Sequence, residues 1–170
     1  MQYNGLKQDS IESKFQTAFR FYGDGMLENA SLLCAEILAI EPKHFDSLHL
    51  SGLLAAQRDQ LQDALKLIGQ ALEINPSVGF AHKNLGIVFH HLERYEEAIL
   101  SYRKAILIDS ADSEAFYNMG NAYFIQSLYE DAINAYENAL KLKPGFLSAL
   151  LNKGIASYEI GIHTSAIECL

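Results

Sequence analysis

The sequence predicts an all-α protein made of stacked antiparallel helix pairs, and three observations carry that prediction. Residue types recur at a period of 34. Each period contains two stretches with apolar residues at i, i+3, i+4 and i+7 spacing, as in Leu85, Val88, Phe89 and Leu92, followed by Ile99, Tyr102, Ala105 and Ile106. Turn residues and prolines separate these stretches, and no strand-like alternation competes with them. The period shows in three registers: Pro42, Pro76 and Pro144 with Ser110 in the remaining slot; Ala18, Gly52, Gly86, Gly120 and Gly154; and Ala30, Ala64, Ala98, Ala132 and Ala166. The organisation that follows is an N-terminal extension over 1–10, repeats at 11–44, 45–78, 79–112 and 113–146, and a partial repeat over 147–170.

Taken in order, the first helix of each pair is predicted at 11–23, 45–57, 79–92, 113–126 and 147–160. The second is predicted at 28–41, 62–75, 96–109 and 130–143, with a stub from 164. Asp24-Gly25, Arg58-Asp59, Glu93-Arg94 and Gln126-Ser127 mark the turn within a pair. Proline closes a pair because it lacks the N–H that would continue a helix. Glu96-Glu97 and Glu130-Asp131 open second helices, where the helix dipole favours negative charge.

Glycine inside a helix costs about 1 kcal/mol relative to alanine, so its recurrence at one phase implies that something passes very close to the backbone there. The expectation is that the alanine register supplies the opposing backbone. Tyr102, Tyr136, Ile68 and Cys34 would then fill the space between repeats.

Composition narrows the function. A chain of 170 residues, 49% hydrophobic and 20% charged, is expected to be a folded soluble domain without a membrane span or secretory leader. Thirteen basic against twenty-one acidic residues leave a net charge of −8, which disfavours nucleic acid and anionic membrane as partners. Cys34 and Cys169 lie far apart and describe neither a disulfide framework nor a metal knuckle, so a reducing, cytoplasmic location is expected. No cofactor is implied, because the sequence holds no Gly-rich phosphate loop, no G-x-S-x-G elbow and no paired-cysteine metal site. His90-His91 is not a metal pair, since consecutive helix residues point about 100° apart. Ser101 and Lys104 echo S-x-x-K without its companion motifs. The chain is therefore read as non-catalytic, with any catalytic domain lying in a longer protein.

The pattern resembles the tetratricopeptide repeat. The fourth repeat carries it through Phe116, Met119-Gly120, Tyr123, Tyr129, Ala132, Tyr136, Ala139 and Pro144. The third carries it through Leu85-Gly86, Phe89, Tyr95, Ala98, Tyr102 and Ala105. Departures are Lys14, Thr17 and Ala18 in the first repeat, and Ser51 and Lys153 in slots that usually hold leucine. The resemblance implies a right-handed α-solenoid of antiparallel helix pairs whose first helices line a concave groove.

On that implication the peptide-binding groove residues are Phe80, Lys83, Asn84 and Ile87 of the third repeat, and Tyr117, Asn118, Asn121 and Phe124 of the fourth. Leu151, Asn152 and Ile155 of the fifth complete them, and His91 and Tyr158 are also expected to face inward. Asn84, Asn118 and Asn152 repeat at 34 and should form a ladder, similar to the peptide-tracking asparagines of protein O-GlcNAc transferases. An amide offers both donor and acceptor to a peptide main chain. A carboxylate clamp of the kind this fold commonly builds is disfavoured. Lys83 and Asn118 fit it, but Ile87, Ser148 and Asn152 do not.

The function expected is a protein-interaction module, scaffold or adaptor, binding a peptide or protein segment in its groove. The alternative is the substrate-presenting N-terminal repeat region of a larger enzyme of the O-GlcNAc glycosyltransferase type. RNA reading by the similar pentatricopeptide repeat is opposed by the period and by the acidic charge. An array without a polar cap after Leu170 should also self-associate through that end.

Overall fold

The computed structural model describes the backbone of residues 2–168 and the side chains of residues 10–161. Among the described residues the elements are nine α-helices: α1 (Gln2–Gly23), α2 (Leu27–Ile40), α3 (Phe45–Gln57), α4 (Leu61–Ile74), α5 (Gly79–His91), α6 (Tyr95–Ile108), α7 (Ser113–Ile125), α8 (Tyr129–Leu142) and α9 (Leu147–Glu168). Each of the first four odd-numbered helices packs along the even-numbered helix that follows it. The chain divides into two compact units, one ending at Ser77 and the other starting at Val78.

The turns inside the pairs repeat one backbone device. Gly25, Asp59, Glu93 and Ser127 take positive φ, from 58° to 76°. The next residue's N–H reaches back five residues: Met26 to Phe21 at 2.8 Å, Gln60 to Ala55 and Arg94 to Phe89 at 2.9 Å, and Leu128 to Tyr123 at 3.0 Å. This is the left-handed helix stop, in which orphan carbonyls find donors as the chain reverses. First helices are begun differently. Asp112 Oδ1 accepts from the backbone N–H groups of Glu114 and Ala115, both at 3.0 Å, and His44 Nδ1 accepts from Ser47 N–H at 3.2 Å.

In the first unit the core gathers Ala18, Ala30, Cys34, Leu50 and Leu54. In the second it gathers Ala98, Tyr102, Ala122, Ala132, Ala135, Tyr136, Ala139, Ala149 and Ala156 with Ile99 and Tyr123. The alanine register is fully buried wherever it is described.

The glycine register works differently from the expectation. A methyl group added at Gly86 would lie 2.5 Å from Tyr102 Cε1, and one at Gly120 would lie 2.6 Å from Tyr136 Cε1. At Gly52 it would meet Ile68 Cγ1 at 2.5 Å, with the Ala64 carbonyl oxygen at 3.3 Å. The large side chains therefore lie over the glycine of their own helix pair. Their bulk is the reason for the glycine, and backbone approach by the alanine register is a secondary contact seen at Gly52.

Two further differences concern the ends. Helix α1 begins at Gln2, because residues 2–10 hold no proline that would stop a helix running back from residue 11. Helix α9 runs unbroken to Glu168, where the period predicts a break near 161 and a second helix from 164. Gly161 occupies the slot of Gly25, Asp59, Glu93 and Ser127 but does not adopt positive φ. Continued helical hydrogen bonding pairs the carbonyls that a helix end at this slot would leave open. Leu170 occupies the register of Tyr136 and lies, with Cys169, outside the described residues, and the side chain of Ala166 is likewise not described.

Candidate functional site

Four helices of the second unit surround a cleft of about 300 Å³. Helix α5 contributes His90, α7 contributes Asn121, Phe124 and Ile125, α8 contributes Tyr136, and α9 contributes Asn152 and Ile155. A hydrogen-bond network closes it. The Tyr136 hydroxyl donates to Asn121 Oδ1 at 2.9 Å, and Asn152 Nδ2 donates to the same oxygen at 2.9 Å and to the Tyr117 hydroxyl at 3.3 Å. The Tyr117 ring lies 4.8 Å from Phe146 and 6.0 Å from Tyr136, so aromatic contacts hold its hydroxyl in place.

Burial dominates the ionisation of the groups lining this cleft. It pushes the Tyr136 phenol up to about 12, so Tyr136 remains a neutral donor. Burial and the neighbouring His91 push the His90 imidazole below its ordinary range. His90 also meets Tyr95 edge-on at 5.3 Å. Among the described residues no carboxylate, lysine or arginine lines the cleft.

The predicted groove residues separate into groups. Asn121, Phe124, Asn152 and Ile155 meet in the cleft, and Tyr117 joins them through its hydroxyl. Ile87 packs against the buried core. Phe80 and Leu151 are exposed outside the cleft lining. Lys83 is taken up elsewhere, with its ammonium 3.0 Å from both Asp112 and Glu114. Burial lowers its pKa, but the two carboxylates outweigh that and leave it raised. Asp112 thus caps α7 with one oxygen and holds Lys83 with the other. That commitment leaves Lys83 a structural cation rather than half of a carboxylate clamp.

The asparagine ladder has unequal rungs. Asn152 spends its amide donors on Asn121 and Tyr117, whereas half-buried Asn118 has no hydrogen-bond partner among the described residues. Asn84 is half-buried.

Sequence reasoning missed His90, Ile125 and Tyr136. His90 shares its register with Phe124 and Tyr158, and that signal was available, but the inward phase falls on His90 while His91 is exposed. Tyr136 was legible as packing; that its hydroxyl reaches an amide on α7 was not.

In the first unit a second concavity, of about 350 Å³, is lined by Arg58, Asp63, Lys66, Gln60 and Gln70 around Leu54, Ala55 and Leu67, with Ser31 and Ser51 beside them. Cys34 is buried nearby, and burial, opposed by a bond to Ser51, pushes its thiol up to about 11, leaving it unreactive. Among the described residues no group of three His, Cys, Asp or Glu could hold a metal, and no helix is long and apolar enough to cross a membrane.

Comparison with known proteins agrees with this architecture. Residues 113–146 match the family model for the tetratricopeptide repeat, and residues 88–127 match a second model described as the TPR repeat. A curated relative, the photosystem I assembly protein Ycf3 of Acaryochloris marina (strain MBIC 11017), is 30% identical over 96 residues, covering 51% of this chain and 58% of the relative. The chain thus matches a little over half the length of that relative. Among solved structures, MamA (41-end) from Desulfovibrio magneticus RS-1 superposes with a TM-score of 0.82 at 22% identity, covering 94% of this chain and 90% of MamA. YrrB, described as a TPR protein with an unusual peptide-binding site, gives 0.76 at 18% identity over 92% and 82% of the two chains. At these identities the two structures speak for the fold. Residues 88–146 thus match tetratricopeptide repeats, and the chain as a whole shares the fold of tetratricopeptide-repeat proteins.

Proposed function

We propose that the chain is a non-catalytic protein-interaction module, a scaffold or adaptor of the cytoplasm, that holds an extended segment of another protein along the first helices of its second unit. The observation that carries this reading is the uncharged cleft between α5, α7, α8 and α9, where apolar side chains surround two fixed amides. Such a surface suits a peptide better than a reaction, because its described lining pairs no nucleophile with a base. Phe80, Asn84 and Asn118 would extend the contact along α5 and α7. The description of YrrB as peptide-binding and of Ycf3 as an assembly protein supports the same reading.

The test is selection of a random twelve-residue peptide library on the purified protein, followed by titration of the enriched peptides against Phe124→Ala. Micromolar binding that weakens at least tenfold in the variant, at unchanged helicity, is the expected result. Enriched peptides that bind the variant equally well would overturn it.

A second reading rests on α9. Leu147, Leu150, Leu151, Ile155 and Tyr158 are exposed along it, and a methyl group at Gly154 would meet nothing within 4 Å. This favours a further helix packed on α9, either from a second copy or from a longer chain in which these repeats present substrate to an O-GlcNAc-type glycosyltransferase domain. A second copy predicts a mass that rises with concentration in light scattering and is held at monomer by Leu150→Glu. A constant monomer mass for the unaltered chain would remove the self-association branch.

A further inference from the structure

The hydrogen-bond accounting at the cleft shows what remains to be satisfied there. Asn121 Oδ1 accepts from both Tyr136 and Asn152, and Asn152 Nδ2 spends its two N–H groups on Asn121 and Tyr117. An amide carries one acceptor oxygen and one donor nitrogen, so Asn121 retains its Nδ2 donor and Asn152 its Oδ1 acceptor. Both residues line the cleft and are pinned at their other ends, so the unspent groups are held in place before any ligand arrives. Around them stand Phe124, Ile125, Ile155 and the ring of Tyr136. In a chain of net charge −8, the described residues of this lining include no carboxylate and no permanent cation.

We propose that the cleft is a specificity pocket for one bulky, uncharged apolar side chain of an extended segment, with that segment's main-chain amide donating to Asn152 Oδ1 and accepting from Asn121 Nδ2. The inference rests on the peptide-binding reading above and adds the class of residue that is selected. At about 300 Å³ the cleft lies at the small end of ligand sites, which suits one side chain rather than a cofactor. A lysine or glutamate placed there would lose its hydration without gaining a counter-charge. His90 does not supply one, because its surroundings favour the neutral ring. The arrangement is also written once. One period earlier Ile87 stands in the slot of Asn121 and offers no acceptor, so the same amide pair cannot form with Asn118. Selection is therefore concentrated at one position of the bound segment, rather than repeated at every rung.

The test titrates the full chain with the peptides acetyl-Gly-Ser-X-Ser-Gly-amide, where X is Leu, Phe, Lys or Glu, followed by ¹H–¹⁵N NMR including the side-chain amides of Asn121 and Asn152. The Leu and Phe peptides are expected to shift both side-chain amides and the backbone signals of Ile125 and Ile155, with the Lys and Glu peptides at least tenfold weaker. Ile155→Glu, at a partly exposed position and checked for helicity, is expected to weaken Leu and Phe at least tenfold and to strengthen Lys. Equal affinity for all four peptides, with shifts confined to Phe80, Asn84 and Asn118, would overturn the pocket while leaving the peptide-binding reading standing. Absence of shifts anywhere on the first helices would overturn both.

Discussion

The two units solve the same packing problem with different residues. In the first, Ala18 shares its core with Cys34, and Gly52 lies under Ile68; in the second, Gly86 and Gly120 lie under Tyr102 and Tyr136. As the second-helix residue grows from cysteine to tyrosine, its first-helix partner shrinks from alanine to glycine. What the period conserves is the combined volume at a crossing, as expected of an interior packed to crystal density. The units also differ in how they treat polar groups. The second ties Tyr136, Asn121, Asn152 and Tyr117 into one hydrogen-bonded network, although it too buries a histidine, His82, at 7% exposure. The first buries Ser47 with its hydroxyl unpartnered and His49 at 8% exposure.

The largest expected effect sharpens that second contrast. Burial pushes the His49 imidazole from 6.5 down to about 4, so between these values the unfolded chain takes up a proton that the folded chain refuses. Its contribution is fully present above pH 6.5 and is lost as pH falls toward 4, worth roughly 3 kcal/mol at the acid end. Hydrogen exchange at pH 7 and pH 5 should show the first unit losing more protection than the second, where half-buried His90 acts in the same direction more weakly. His49→Leu should flatten the difference, and equal loss in both units would break the comparison.

The volume rule itself is tested at glycine. Gly120→Ala is expected to destabilise by about 1–3 kcal/mol in urea denaturation, because the Tyr136 ring is fully buried and cannot withdraw. Ser47→Ala should raise stability by about 1 kcal/mol, since it removes an unsatisfied buried hydroxyl from a register held elsewhere by buried Ala81, Ala115 and Ala149. The smallest effect has the opposite sign to the first glycine substitution. Gly154→Ala, on the same register but in open space, should stabilise by up to about 1 kcal/mol through helix propensity alone. If both glycine substitutions moved the midpoint the same way, partner bulk would not be what the register encodes.

Part of the cleft lining followed from phase. Asn121, Phe124, Asn152 and Ile155 come from two consecutive first helices at matching register, and the structure brings them into one cleft. Lys83 did not follow, because its long side chain reaches the cap of the next first helix, and the period carries no information about that reach. His90 was displaced by one residue for a related reason: a helix turn is 3.6 residues, so adjacent histidines compete for one face and only packing decides between them.

The amino-acid sequence by itself determined the helix pairs, their turns and the registers of small and large residues, because 34-residue periodicity and left-handed turn positions are local properties repeated many times. Tertiary structure alone decided that the glycines lie under tyrosine rings or an isoleucine side chain, that Asn152 turns its donors inward, and that α9 runs straight through Gly161. Each of these depends on which side chain occupies the space across a helix crossing. That is a question of distance and volume between residues far apart in the chain, and a one-dimensional pattern does not record it.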